Sequence, residues 1–458
     1  MSDAGLARAQ DKMRADGLPE AAIAVFGDYY RQLESGQTGL ILEETIEPLL
    51  DPPMLADLEV DLDAAREALD KTVIIKLNGG LGTSMGLDKA KNLLPLRDGL
   101  TFLDVIVRQV LAARERHGVR LPLLLMNSFR TAADTEQALA AYPELARDGL
   151  PLGFVQNREP KLTADGLEPV EWPADPELEW CPPGHGDLYI ALQTSGVLDQ
   201  LIEAGYQYAN VCNGDNLGTA PSPQIAGWFA ASGAPYAAEV CHRTVNDRKG
   251  GHLAIRKADQ QLILRDTAQT ADDEMDYFTD EHRHPFFHTN NLWFDLVMLR
   301  DALVERASVL GLPMIRNEKT VDPSDKSSTK VIQIESAMGA AVEVFEGATA
   351  ICVGRDRFLP VKTTNELLLL RSDLYELDED YRLVAATDAT VKVNLDPEHF
   401  KLVQDFDARF AGPIGLREAT SFTVQGDWSF GTDVSVVGAV ELPAEDARRV
   451  DDGTVLRG

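Results

Sequence analysis

Apolar residues recur at helical spacing across residues 9–36, with Ile23, Phe26, Tyr30 and Leu33 on one face, which predicts an amphipathic helix. A proline-containing stretch, EPLLDPPM, follows, and a second helical segment is predicted over 55–69. At Thr72 the period changes. TVIIKL is an unbroken apolar run stopping at a glycine-rich turn, the pattern of a strand buried on both faces. FLDVIVRQVLAARERHG then reads as a helix ended by Gly118. A strand (LPLLLMN), a helix from about Asp134, a strand (GFVQ), a helix over 186–204 and a strand (YQYANVCNGDN) complete the series. This alternation predicts right-handed βαβ units in a doubly wound α/β sheet. In such sheets ligands bind beyond the carboxyl ends of the strands.

The second half has a different texture. Residues 235–300 are mixed, with strand-like AAEVCHR, HLAIRK, LILRD and NNLWFDL. After Tyr381 short β-rich pieces alternate with turns: TVKVNL, SFTVQGDWSF and DVSVVGAVEL. These predict a small all-β domain. No fixed repeat of 20 to 50 residues is visible. The expected division is a helical N-terminal region over 1–70, a central α/β domain over 71–383 and a C-terminal domain over 384–458.

Charge narrows the choice of partner. The formal net charge is −31 over 458 residues, a field that repels nucleic acid and anionic membranes, so neither is expected as a partner. It also repels nucleotides, so any phosphate site must carry its own lysines, arginines or backbone amides. Hydrophobic content of 44% is that of an ordinary globular chain. The four cysteines (Cys181, Cys212, Cys241 and Cys352) lie far apart and form no Cys-x-x-Cys pair, which argues against a disulfide framework or a structural zinc site. The start of the sequence has no apolar signal region and no run of 18 apolar residues occurs, so a soluble cytoplasmic protein is expected.

Four segments carry candidate chemistry. In LNGGLGTSMGLDKAK, residues 77–91, glycines 79, 80, 82 and 86 let the backbone approach a ligand, and its amides can donate to phosphate oxygens. The P-loop pattern fails, because Leu87 stands where a lysine should follow the last glycine. The dinucleotide spacing fails by one residue, and Asn127 rather than an acid ends the next strand. PPGHGD, residues 182–187, precedes a predicted helix, whose first amides suit an anion; a turn with a capping Asp187 is the equally open alternative. NGDN, residues 213–216, ends an apolar strand, where an acid can hold Mg²⁺ against substrate phosphates, though an Asn/Asp-rich turn explains it as well. In RFLPVKTTNELLLLRSDLY, Lys362 precedes a helix capped by Thr363 or Thr364. His282, His284 and His288 match no standard zinc spacing, and no G-x-S-x-G nucleophile motif occurs.

KLNGGLGTSMG, LMNSFRTAADT, FVQNREPKL, PPGHGD, NGDN, RKGG, HTNNLW, IESAMGAAVEVF and RFLPVKTTNELLLLRSDLY occur in one order. Together they closely resemble the eukaryotic-type UTP–glucose-1-phosphate uridylyltransferases, over nearly the whole chain. The resemblance implies an α/β fold: a doubly wound, Rossmann-like nucleotidyltransferase domain followed by a left-handed β-helix domain. It implies that Leu77, Asn78, Gly79 and Gly80 meet the nucleotide, that Lys91 reaches the UTP phosphates and that Gln156 selects uracil. Gly184 and His185 would contact nucleotide and sugar phosphate, Asn213 the ligand, and Asn291 the hexose. Asp215 would hold Mg²⁺, and Lys362 would be the main catalytic cation. The implied substrates are UTP and glucose 1-phosphate; a homo-oligomer stays open. The chain departs from the family pattern at Asp88, where a basic residue is usual, and at Asp266, where Glu is usual. Its end is expected to fall short of the last β-helix turn. Two rivals remain: a uridylyltransferase for another sugar 1-phosphate, such as N-acetylglucosamine or galactose 1-phosphate, and a non-catalytic nucleotide-sugar-binding protein. The second predicts loss of Lys91, Asp215 or Lys362, and all three are present.

Overall fold

A computed structural model describes residues 2–36, 39–244 and 247–458. Its centre, among the described residues, is a seven-stranded sheet built of β1 (Thr72–Asn78), β2 (Leu123–Asn127), β3 (Gly153–Val155), β4 (Tyr208–Asn213), β5 (Tyr236–His242), β6 (Phe286–Asp295) and β7 (Thr349–Cys352), in the order β7-β5-β6-β4-β1-β2-β3. All run parallel except β6, which is antiparallel to both β4 and β5. The unbroken apolar run in β1 is explained by cover on both faces: Ile74 packs into one apolar cluster, Val73 and Ile75 into another. Three strands end on asparagine at the same edge: Asn78, Asn127 and Asn213.

The predicted helices are present with breaks that the sequence explains. The stretch 9–36 is two helices, α1 (Ser2–Ala15) and α2 (Glu20–Glu34). Gly17, at φ +78°, and Pro19, which has no N–H to donate, end one and start the next. The 55–69 segment contributes a single turn at Leu55–Asp57 and then α3 (Leu62–Asp70), whose first amides are capped by Asp61. α4 (Phe102–His117) opens with a Thr101/Asp104 capping box and ends at Gly118 in the left-handed region. The helix expected over 186–204 is split into Leu188–Thr194 and Val197–Glu203 by Gly196, at φ +73°.

The C-terminal part corrects two expectations. It is not all-β, since Pro397–Phe400 and Val403–Arg409 are helical. It also has a repeat. Strands β8 (Lys392–Leu395), β9 (Gly415–Val424), β10 (Ser435–Leu442) and β11 (Val455–Arg457) stack in parallel, and Gly415, Ser435 and Val455 are aligned partners. Phe410 bridges Phe430, which pairs with Val450, and the two phenylalanine rings stack at 4.8 Å. The last two coils thus advance by about 20 residues, shortened to 18 where β9 shifts register on β10, whereas the step from β8 to β9 spans 29. The repeat is one of position and burial, not of residue identity, so the sequence conceals it. The same apolar cluster runs from α4 into these coils.

Candidate active site

The glycine-rich segment leaves the carboxyl end of β1 and folds back on itself. Leu81 bridges Ala90, and the Lys91 amide donates to the Gly80 carbonyl at 3.1 Å, so the twelve-residue loop 79–90 returns Lys91 to the strand's end. Gly80 has no atom within 4 Å of where a Cβ would sit, so its backbone faces open space. A Cβ on Gly79 would lie 2.8 Å from Gln156 Nε2. Gln156 follows β3 and donates its backbone N–H to the Asn127 carbonyl at 2.8 Å. Its side chain and the Gly79 backbone thus form one corner of the cleft. Asn78 is turned the other way: its amide donates to Asn127 and Thr135, both at 2.7 Å, leaving its own buried oxygen unpaired. Leu77, the β-partner of Asn213, accepts the Gly214 amide at 3.1 Å.

NGDN sits beside this loop, at the end of β4. Lys91 Nζ contacts Asp215 Oδ2 at 2.6 Å, with both side chains about one-fifth exposed (20% and 19%). The backbone after Arg357 runs antiparallel to this turn: Asn216 bridges Pro360, and the Val361 amide donates to the Asp215 carbonyl at 3.2 Å. Lys362 comes next, exposed, and Thr363 then opens the helix Thr364–Arg371 through a capping box with Glu366. Lys91, Asp215 and Lys362, far apart in sequence, are therefore carried by directly bonded backbone segments.

PPGHGD packs against the segment 336–338. Gly184 has φ +80°, and a Cβ there would meet the Ser336 carbonyl oxygen at 2.6 Å, so only glycine fits. His185 Nδ1 accepts the Met338 amide at 2.9 Å, which leaves the proton on Nε2. Burial pulls this imidazole down to about 4, so it is a neutral donor near neutrality. His288 is likewise pulled down to about 4 by burial and by His185; its Nδ1 accepts the Asn290 amide at 3.0 Å. Asp187 does not cap by side chain; it accepts the Asn157 backbone and side-chain N–H at 2.6 and 2.8 Å. Burial, opposed by those two bonds, pushes its carboxyl up to about 7.

Two adjacent asparagines, Asn290 and Asn291, have different surroundings. Asn291 is fully buried, its amide shared between Glu239 and Asn216. Glu239 pairs with Asn291 and Val240 with His288, so Thr289 and Asn290 bulge out of β6. The bulge holds Asn290 at φ +63° and re-aims it, and its amide donates to Asn213 Oδ1 at 3.1 Å. Two adjacent asparagines hid this, although asparagine tolerates the left-handed region better than most residues. Asp266 caps the turn Thr267–Gln269, and Asp88 is exposed. Among the described residues no three His, Cys, Asp or Glu side chains gather as a metal cluster. Asp215 with substrate phosphates still fits Mg²⁺, which takes one or two protein carboxylates and keeps waters and phosphate oxygens.

This cleft is poorly equipped for covalent attack on a substrate: all four cysteines are buried, and its histidines already accept backbone amides. Its exposed amides and two lysines are suited to bringing phosphates together. A phosphate that attacks another phosphate needs positioning and positive charge more than a protein nucleophile. The fold and site thus define a nucleotidyltransferase. The family profile described as UTP–glucose-1-phosphate uridylyltransferase matches residues 24–437. A UTP–glucose-1-phosphate uridylyltransferase from Hordeum vulgare is 39% identical over 411 residues, covering 88% of this chain and 84% of the relative. One from Saccharomyces cerevisiae is 38% identical, covering 85% and 77%. A variant of the UDP-glucose pyrophosphorylase from Leishmania major, solved with UDP-glucose, superposes with a TM-score of 0.91 at 40% identity, covering 99% of this chain and 98% of that one. The chain belongs to the UTP–glucose-1-phosphate uridylyltransferase family. No helix among the described residues is long and apolar enough to cross a membrane.

Proposed function

We propose that the protein transfers the uridylyl group of UTP to glucose 1-phosphate, releasing pyrophosphate and forming UDP-glucose. The observation that carries this is the joining of three distant segments at one point: Lys91 on Asp215, and Asp215 on the backbone that leads into Lys362. A binding protein has no need of two lysines and a carboxylate at that junction. The glucose 1-phosphate oxygen attacks the α-phosphorus of UTP in line, and the bond to pyrophosphate breaks on the far side. The attacking phosphate is already ionised at neutral pH, so no general base is required.

Gln156 and the backbone at Leu77, Gly79 and Gly80 present donors and acceptors to the uracil edge; Asn78 supports them from beneath. Gly184 lets the backbone approach the phosphates, and His185 Nε2–H donates to one. Asn213 and Asn290 face the sugar phosphate. Lys91 and Lys362 stabilise charge growing on the leaving pyrophosphate. Mg²⁺, held by Asp215 and the phosphates, supplies Lewis-acid charge neutralisation when bound. We assign the coils after residue 384 to a left-handed β-helix domain, following a catalytic domain over 71–383 and a helical region over 1–70. Four buried thiols, none in a disulfide, suit the reducing cytoplasm.

The test is pyrophosphate release from UTP with a panel of sugar 1-phosphates. Turnover is expected with glucose 1-phosphate above N-acetylglucosamine and galactose 1-phosphates. Preference for another sugar would replace the substrate, and no release with any sugar would leave a binding protein.

A further inference from the structure

We infer that the buried Glu239–Arg357 ion pair is the positioning device that fixes Lys362 relative to Asp215. Glu239 lies in β5 and is fully buried; Arg357, 7% exposed, heads the segment that carries Lys362. The guanidinium grips the carboxylate through two bonds of 2.9 Å, from Nε to Oε2 and from Nη2 to Oε1. Trp293 Nε1 and Asn291 Nδ2 donate to the same carboxylate at 3.0 and 3.3 Å, so its acceptors are well used. Burial alone would raise the Glu239 carboxyl, but the guanidinium and these donors hold it below the usual range.

The pair ties together both sides of the junction. Arg357 Nη1 donates to the Ala220 carbonyl at 3.1 Å, just past NGDN. Asn216 Nδ2 donates to the Arg357 carbonyl at 3.0 Å, while Asn216 Oδ1 accepts the Leu359 amide at 2.8 Å. The Val361 amide then reaches the Asp215 carbonyl at 3.2 Å. Backbone and side chain thus form a continuous run of bonds from the central sheet, through Arg357, to the residue before Lys362. Gly218 packs so closely that a Cβ would fall 2.7 Å from the Arg357 carbonyl carbon. Replacing a buried ion pair with a neutral pair of similar volume often preserves the fold, so stability alone does not account for this arrangement. A reaction that depends on the place of one ammonium does account for it, since a displacement of about 1 Å can cost on the order of 10² in rate.

This inference rests on the catalytic reading of Lys362, and a double-mutant cycle separates the two. Turnover at saturating UTP and glucose 1-phosphate is measured for the wild type, for Glu239→Gln/Arg357→Met, for Lys362→Ala and for the triple combination. If the pair acts by placing Lys362, its replacement lowers kcat by about 10²-fold in the wild type but by less than about threefold once Lys362 is absent. Equal losses in both backgrounds overturn the inference and leave the role of Lys362 intact. Wild-type turnover by Lys362→Ala overturns both. Should the paired replacement fail to fold, Arg357→Lys takes its place in the cycle, since an ammonium retains the charge but cannot grip both oxygens. It should show the same non-additivity with a smaller loss.

Discussion

Replacing Lys362 by alanine separates catalysis from stability with unusual clarity. The side chain is exposed, and among the described residues it makes no ion pair or hydrogen bond, so its removal should change stability by no more than about 0.5 kcal/mol. Its backbone, by contrast, follows the bond from the Val361 amide to the Asp215 carbonyl, beside the proposed phosphate site. Two unit charges about 4 Å apart at an effective dielectric of about 20 interact by roughly 4 kcal/mol. Only part of a unit charge develops on the leaving pyrophosphate, so about 2–4 kcal/mol of transition-state stabilisation is at stake. That corresponds to a loss of roughly 30- to 10³-fold in kcat. Lys362→Arg should recover part of it, because a planar fork carries its charge in a different place from a compact ammonium. The assay is pyrophosphate release at saturating substrates, paired with a thermal melt. Near-wild-type kcat would refute the reasoning and shift the main catalytic role to Lys91; a large drop in Tm would show that Lys362 is structural.

Asp215→Ala should fold, since its side chain pairs with Lys91 at the edge of the cleft, yet lose most activity and its response to added Mg²⁺. Undiminished wild-type turnover in EDTA would sink the metal assignment. Gly79→Ala places a methyl 2.8 Å from Gln156 Nε2 and should erode selection of UTP over CTP by roughly tenfold or more, as should Gln156→Ala. Unchanged discrimination in both would contradict the uracil corner. Gly184→Ala combines φ +80° with a 2.6 Å contact to the Ser336 carbonyl and should cost more than about 1 kcal/mol of stability, read as a lowered melt. On acidification from about pH 6.5 to 4, unfolded histidines take up protons that folded His185 and His288 refuse, so stability falls through that window. Asp187, raised to about 7, works the other way, its contribution being full below 3.8 and lost as pH rises through 7. The loss carried by each histidine is separable by substitution. His185→Gln should flatten the profile of Tm against pH; an unaltered profile would be inconsistent with the buried neutral imidazole.

Some of this was legible from residue order alone. The run TVIIKL announces a strand covered on both faces, and the glycines after it announce a backbone open to a ligand, because these properties are local. Caps such as Thr363 with Glu366, and the stop at Gly118, are local as well. What the sequence could not determine depends on which segments meet. NGDN on its own reads equally well as a turn; its meaning comes from Lys91, brought back by a closed loop, and from the segment that pairs with it after Arg357. Glu239 and Arg357 look like ordinary charged residues until the fold buries them against each other. Asn290, not Asn291, bonds Asn213 because a bulge in β6 interrupts the strand's period of two, and a bulge is set by register with a partner strand. The coil repeat stayed hidden for a related reason: stacking requires apolar contact at Phe410, Phe430 and Val450, not the same residue at each. Local preference and patterning thus determined the elements and the candidate chemistry, while register and long-range pairing, which no single segment encodes, decided how the site is assembled.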